Sequence, residues 1–181
     1  VRGWMELMER TAGRLLAQDV SWCLRINRLA RRRPVQRYFA AVSWLGDGWF
    51  WLLLCLAMPL MDRDRVLQAA LHMLVVGAIA LLLYHGLKRW SRRPRPLHRH
   101  PQIAVSVAPL DEFSFPSGHT LHAVSFTWVA LSYLPALALL LVPFALSVAL
   151  SRVVLGLHYP SDVLAASALG ALLARLSLAC V

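Results

Sequence analysis

The sequence predicts an all-α, polytopic membrane helix bundle of about five spanning helices with an interfacial helix ahead of them, and three observations carry that expectation. Hydrophobic residues make up 59% of the 181-residue chain, above the share in an ordinary soluble domain. Val66 to Leu87 runs 22 residues without a formal charge, and as a helix it would measure about 33 Å, enough to cross a hydrocarbon core of about 30 Å. Thr120 to Ser151 is a further uncharged run of 32 residues, about 48 Å as one helix and too long for a single comfortable span.

The elements follow in order. From Trp4 to Ala30, the apolar residues Trp4, Leu7, Met8, Leu15, Trp22, Ile26 and Leu29 fall on one helical arc with charges mostly opposite. A helix at the headgroup level, with its tryptophans in the aromatic belt, is expected. After the basic run Arg31-Arg32-Arg33-Pro34 the chain enters the membrane. Tyr38 to Met61 forms the first span, interrupted by Gly46-Asp47-Gly48, and Val66 to Leu87 the second. The long Thr120–Ser151 run is expected to break at Leu134-Pro135, because proline disfavours helical geometry in the residue before it. Val163 to Val181, interrupted by Arg175, supplies the last span. The whole chain, 1–181, reads as one membrane domain, with 1–34 at the interface, 38–181 in the bundle and a long loop at 88–117. The N-terminus has no compact apolar stretch followed by a small-residue cleavage site, so a cleaved signal peptide is not expected.

A formal net charge of +10 could suggest nucleic acid, but the positive residues flank apolar segments and form no soluble basic face. Anionic lipid headgroups suit them better. Of 19 basic residues all but Lys88 are arginine, whose planar fork fits phosphate. Cys23, Cys55 and Cys180 are far apart and lack CxxC spacing, so they read as packing residues and imply neither a disulfide framework nor a zinc site.

Three clusters could carry chemistry. Lys88-Arg89-Trp90-Ser91-Arg92-Arg93-Pro94-Arg95-Pro96 gathers cations directly after the strongest span, where snorkelling anchors are also common. Pro116-Ser117-Gly118-His119 opens the next apolar run. Ser117 can cap that helix while the free N–H groups of its first turn face an anion. Ser151-Arg152, His158 and Asp162 lie at the turn before the last span, where Pro160 suits the first helical turn. Asp162 is then near enough to His158 to accept an imidazole N–H and set its tautomer. With the long run split at Pro135, alternate crossings bring all three clusters to one face. His122, one turn beyond His119, reads as a packed polar residue or a supporting one, and His72 and His85 as structural.

These residues resemble the type 2 phosphatidic acid phosphatase family, the lipid phosphatase branch of the superfamily that includes vanadium haloperoxidases. Its signature K-x6-R-P, P-S-G-H and S-R-x5-H-x3-D occurs here in order, as Lys88 with Arg95-Pro96, then Pro116 to His119, then Ser151-Arg152 with His158 and Asp162. The resemblance implies that His158 is the nucleophile that forms a phosphohistidine and that Asp162 orients its ring. It implies that His119 protonates the leaving oxygen and then activates water. Lys88, Arg95, Arg152, Ser117 and the Gly118 backbone would hold the phosphate oxygens. Fixed cations and helix-terminal amides suit the equatorial oxygens of a transferring phosphoryl group. Asp111-Glu112 stands alone in the loop and offers no carboxylate cluster for Mg²⁺. No metal and no cofactor is expected.

The implied substrate is a lipid phosphate or diphosphate, such as phosphatidic acid, phosphatidylglycerol phosphate or a polyprenyl diphosphate, met at the bilayer surface. Phosphotransfer between lipids would use the same site, and a non-enzymatic lipid-phosphate binding or transport protein would need only the basic cluster. Six spans are common in the family, whereas no convincing span precedes Tyr38 here, so either a short, five-span form or a piece of a longer chain is expected. The resemblance favours a site at the periplasmic face of a bacterial inner membrane, although Arg31 to Arg33 on that face would run against the positive-inside tendency.

Overall fold

The structure, a computed structural model, describes residues 2–57, 63–109 and 111–181. Helix α1 (Arg2–Asn27) ends in a 3₁₀ turn, Arg28–Arg31. Helix α2 (Arg33–Trp44), with Pro34 in its first turn, continues through a π-helical turn, Leu45–Trp49, into α3 (Phe50–Ala57). Helix α4 (Arg63–Ser91) is followed by the long loop, which holds the short α5 (Pro96–Arg99) and a bridge pairing Pro94 with Phe113. Helix α6 (Gly118–Tyr133) and α7 (Ala138–Val154) flank the 3₁₀ turn Pro135–Leu137. Helix α8 (Pro160–Leu178) completes the bundle.

Every expected span has its helix, and the break at Leu134-Pro135 falls where proline required it. The far end of the first span, 58–61, lies outside the described residues, as do the side chains of Trp4, Leu7 and Met8 on the expected interfacial arc. Among the described residues, four stretches are long and apolar enough to cross a membrane: Arg33–Ala57, Leu67–Ser91, Pro135–Val154 and Pro160–Leu178. The fifth expected span, α6, has 16 residues, about 24 Å, somewhat short of a full hydrocarbon core.

Helix α6 makes up for its length by being the hub, packed against α4, α7 and α8. It buries Leu121, Ala123, Ser125, Thr127, Val129 and Ala130, mostly small side chains that let helices approach closely where lipid provides no hydrophobic drive between them. Helix α3 joins this core through aromatics, with Phe50 stacked on Phe144 at 3.7 Å between ring centres and Trp51 set edge-on to Phe126 at 5.3 Å. The outer faces stay apolar: Leu74, Leu82, Leu139 and Leu164 are each at least two-thirds exposed, as expected of surfaces that face lipid.

Helix α1 lies across the end of the bundle where α4 and α7 finish and α6 and α8 begin. Asn27 fastens it there, with Nδ2 donating to the Val154 carbonyl at 2.9 Å and the Ala104 carbonyl at 3.1 Å, while Ala104 N–H donates back to Oδ1 at 2.8 Å. Cys23 packs beneath it with Ile103, Val153 and Tyr159. Leu15 and Trp22 remain exposed on its other side. Of the three cysteines expected to be packing residues, Cys23 is buried and Cys55 half-buried, but Cys180 is exposed, because α8 ends before it.

Candidate active site

The alternation of crossings brings the ends of α4 and α7, the starts of α6 and α8, and the loop between α4 and α6 to one face, where all three sequence clusters meet. His158 is 2% exposed at the turn between α7 and α8. Its Nδ1 lies 2.6 Å from the Ser114 carbonyl, which can only accept, so the proton is on Nδ1. Nε2 keeps its lone pair and accepts from Arg95 Nη1 at 3.1 Å. Burial, and then the charges of Arg152, Arg95 and Lys88, push the His158 pKa well below its ordinary value, against the weaker opposing effect of the Ser114 bond. The ring is therefore neutral near pH 7, with one fixed N–H and one unprotonated nitrogen that faces Arg95.

The hydrogen bond expected from His158 to Asp162 is not formed. Asp162 Oδ2 stands 3.8 Å from Nδ1, because Tyr159 is extended and the two residues do not share a helical turn. The carboxylate is engaged instead at the start of α8, where Oδ2 accepts the Tyr159 N–H at 2.9 Å and Oδ1 accepts from Arg93 Nη1 at 2.6 Å. Ser114 fixes the ring, and Asp162 lies behind it as a fully buried negative charge.

Lys88, Arg95 and Arg152 are each at most 5% exposed. Arg95 is held by the carbonyls of Leu157 (2.9 Å, from Nη1) and Asp111 (2.8 Å, from Nε). Arg152 donates to Ser43 Oγ, and its buried Nε has no hydrogen-bond partner among the described residues. Ser117 caps α6, its Oγ accepting the Thr120 N–H at 3.4 Å and bonding Thr120 Oγ1 at 2.9 Å. The Gly118 and His119 amides then belong to a first turn whose N–H groups have no intrahelical acceptor. Gly118 is needed for close approach, since a β-carbon there would lie 2.6 Å from the Tyr84 ring.

His119, 11% exposed, has Nε2 3.5 Å from Asp47 Oδ1. It lines two cavities, one of about 260 Å³ with Trp51, Leu81, Tyr84 and Phe126, the other of about 220 Å³ with Ser43 and Arg152. His122 supports the same turn through Nδ1, 2.9 Å from the Gly118 carbonyl. His72 is buried in the bundle and bonds Tyr133 at 3.0 Å, whereas His85 is exposed beside the Tyr84 ring.

Asp111 does not stand alone, as its sequence context suggested. Its carboxylate accepts from Lys88, Tyr84 and Arg95, the last at 2.7 Å, and so fills a point where these donors converge. Arg93 is a second residue with no motif to mark it. It bridges Asp162 to Asp19 of α1 (2.7 Å from Nη2) and lies 4.2 Å from the Tyr159 ring centre. Asp19 also accepts the Ser161 N–H at 2.9 Å. Contacts across 74 or 142 positions of sequence leave no spacing signal.

The three clusters thus form one buried cationic cluster with a neutral histidine among its members. A profile of the PAP2 superfamily matches residues 69–181, more than half of the chain. The chain belongs to the PAP2 superfamily. Among PAP2 proteins it is 44% identical over 130 residues to decaprenylphosphoryl-5-phosphoribose phosphatase of Mycobacterium tuberculosis, an alignment covering 68% of this chain. The same alignment spans 66% of that curated relative, just under two thirds of its length. The crystal structure of a transmembrane PAP2-type phosphatidylglycerolphosphate phosphatase from Bacillus subtilis is similar with a TM-score of 0.72 and 26% identity, covering 92% of this chain and 85% of that one. Aquifex aeolicus LpxE is similar with a TM-score of 0.75, covering 88% of this chain and 93% of that one; at 24% identity it speaks for the fold alone. Membrane-length apolar helices together with a transmembrane PAP2 neighbour make this an integral membrane protein.

Proposed function

We propose that this PAP2 protein is a metal-independent phosphatase of membrane lipids that works through a phosphohistidine on His158. The observation that carries the reading is the state of that side chain: a buried neutral imidazole with Nδ1–H committed to Ser114 and Nε2 facing the Arg95 guanidinium. In this mechanism a substrate phosphate enters among Lys88, Arg95, Arg152 and the first amides of α6, which neutralise its equatorial oxygens. Ser117 holds that first turn in place by capping it. Nε2 forms a bond to phosphorus as the bond to the lipid oxygen breaks, and His119 gives that oxygen a proton. The phosphorylated ring is cationic, and the buried Asp162 charge 3.8 Å from Nδ1 offsets it. Water then attacks phosphorus, passes a proton to His119 and frees Nε2. The nucleophile, acid and phosphate-binding residues expected from the sequence keep those roles, with ring orientation moved from Asp162 to Ser114.

A lipid substrate fits a site at the membrane-facing end of an apolar bundle, where headgroups arrive laterally. The relatives' names give the classes to try first: a polyprenyl phosphoribose phosphate and phosphatidylglycerol phosphate. Phosphatidic acid and polyprenyl diphosphates complete the panel. We place the site at the periplasmic face of the inner membrane, in keeping with the family resemblance. Phosphate release from such a panel, by detergent-solubilised protein in excess EDTA with and without an added alcohol acceptor, tests the reading. Release by wild type that survives EDTA and is lost in His158→Ala supports it. No release from any lipid, or full activity in the variant, would sink it, and phosphate recovered only on the acceptor would make the protein a phosphotransferase.

A further inference from the structure

Asp47 lies where the first spanning segment breaks its own helix. Residues Leu45–Trp49 form a π-helical turn, and Gly48 adopts φ 127°, a conformation that a β-carbon disfavours. Asp47, its side chain 45% exposed, faces a cavity and a partner, as carboxylates in spanning segments ordinarily do, and π-helical turns often occur at functional sites. Asp47 Oδ1 lies 3.5 Å from His119 Nε2.

The cavities supply an independent observation. Asp47 and His119 together line both of them, the apolar chamber with Trp51, Leu81 and Phe126 and the chamber that reaches Arg152. The pair therefore stands at the junction between an apolar space and a chamber that reaches Arg152, one of the three buried cations. A phosphorylated lipid with its phosphate among the arginines and its chain in the apolar chamber has its bridging oxygen at this junction.

We propose that Asp47 is a positioning residue for His119, its carboxylate facing one ring N–H of the imidazolium so that the other N–H is held for the leaving oxygen. This rests on His119 being the proton donor described above. As Nε2 of His158 bonds to phosphorus and the P–O bond to the lipid breaks, the His119 proton moves to the departing oxygen. Asp47 stays ionised throughout, facing an imidazolium before the transfer and a neutral imidazole after it. When water attacks the phosphohistidine, its proton restores the imidazolium and the pair. The 3.5 Å separation shortens to a hydrogen bond in the protonated state, as catalytic contacts commonly do once substrate is bound.

The test compares leaving groups, using the full chain in detergent and kcat/KM, which reports the steps through leaving-group departure. A lipid phosphate expels a basic alkoxide that needs a proton, whereas p-nitrophenyl phosphate expels a stable phenolate that hardly does. Asp47→Asn is expected to lower kcat/KM on the lipid phosphate about tenfold or more and to leave p-nitrophenyl phosphate within about twofold, as loss of general-acid assistance requires. Asp47→Glu should restore part of the loss. Asp47→Ser is measured beside it, so that poor folding of one variant does not decide the result. Equal losses on both substrates in Asn and Ser, or no loss on the lipid, would overturn the proposal. His119→Ala separates this from the underlying reading: a selective loss there with none in the Asp47 variants removes only the role of Asp47, whereas an unselective effect in His119→Ala removes the proton donor itself.

Discussion

Replacing Asp111 with asparagine removes one negative charge from the point where Lys88, Tyr84 and Arg95 converge and leaves the shape of the loop almost unaltered. Burial alone would raise this carboxyl, but the hydrogen bonds from Lys88 and Tyr84 and the Arg95 guanidinium outweigh it and hold the pKa down to about 2, from an ordinary 3.8. At about 1.36 kcal/mol per pKa unit, the charged form is favoured by at most about 2 kcal/mol, discounted because the side chain is 28% exposed. The folded pKa is depressed, so this stabilisation is present above the ordinary carboxyl range and is lost as the pH falls through about 2. A bound phosphate has to take over the same donors, so the wild-type affinity for anions already contains this competition. For Asp111→Asn at neutral pH the unfolding midpoint without added anion should fall. The inhibition constant of orthovanadate should fall too, by up to roughly thirtyfold, the equivalent of about 2 kcal/mol. Saturating vanadate should close the gap in midpoint. Weaker vanadate inhibition with an unchanged midpoint would refute the reasoning, because the carboxylate would then be helping to hold the anion.

Further outcomes follow from the rest of the site. Arg93→Leu leaves the fully buried Asp162 without its ion-pair partner, and the cost should be about 3 kcal/mol, at the low end for breaking a buried pair because Arg93 is partly exposed; the unfolding midpoint in detergent reports it, with a smaller drop for Asp19→Asn. Because burial and the neighbouring cations depress the His158 pKa, the acid limb of kcat/KM that His158 sets should lie below the ordinary imidazole range. The same depression means that the unfolded chain binds more protons than the folded one in mildly acidic solution, so stability should decline as the pH falls below that range. Cys180 lies at the end of α8 opposite the site, so in spheroplasts an impermeant thiol reagent should label it only after permeabilisation; labelling of intact spheroplasts would put the site on the cytoplasmic face.

Much of the arrangement was legible from local features. The uncharged runs marked α4 and the α6–α7 pair, Leu134-Pro135 marked the break between them, and the three gapped motifs marked His119, His158, Lys88, Arg95 and Arg152, which the fold brings to one face. The residues that escaped notice are those that act through distant partners. Ser114 holds the His158 ring with a backbone carbonyl, a group every residue possesses. Asp111 looked isolated because its neighbours in sequence are not its partners in space; Lys88 is 23 positions away. Asp19 and Arg93 have the same difficulty over longer separations. Spacing misled in one place: a histidine and an aspartate four apart share a face only within a helix, and His158 precedes α8 in a loop.

The central claim is that His158 carries the phosphoryl group. Rapid mixing of enzyme with a ³²P-labelled lipid phosphate, followed by an alkaline quench that preserves phosphohistidine, tests it most directly. The predicted result is label on the peptide containing His158, absent in His158→Ala and enriched in His119→Ala if that variant slows hydrolysis more than phosphorylation. Full phosphate release with no label on that peptide under these conditions, or label on another residue, would contradict it.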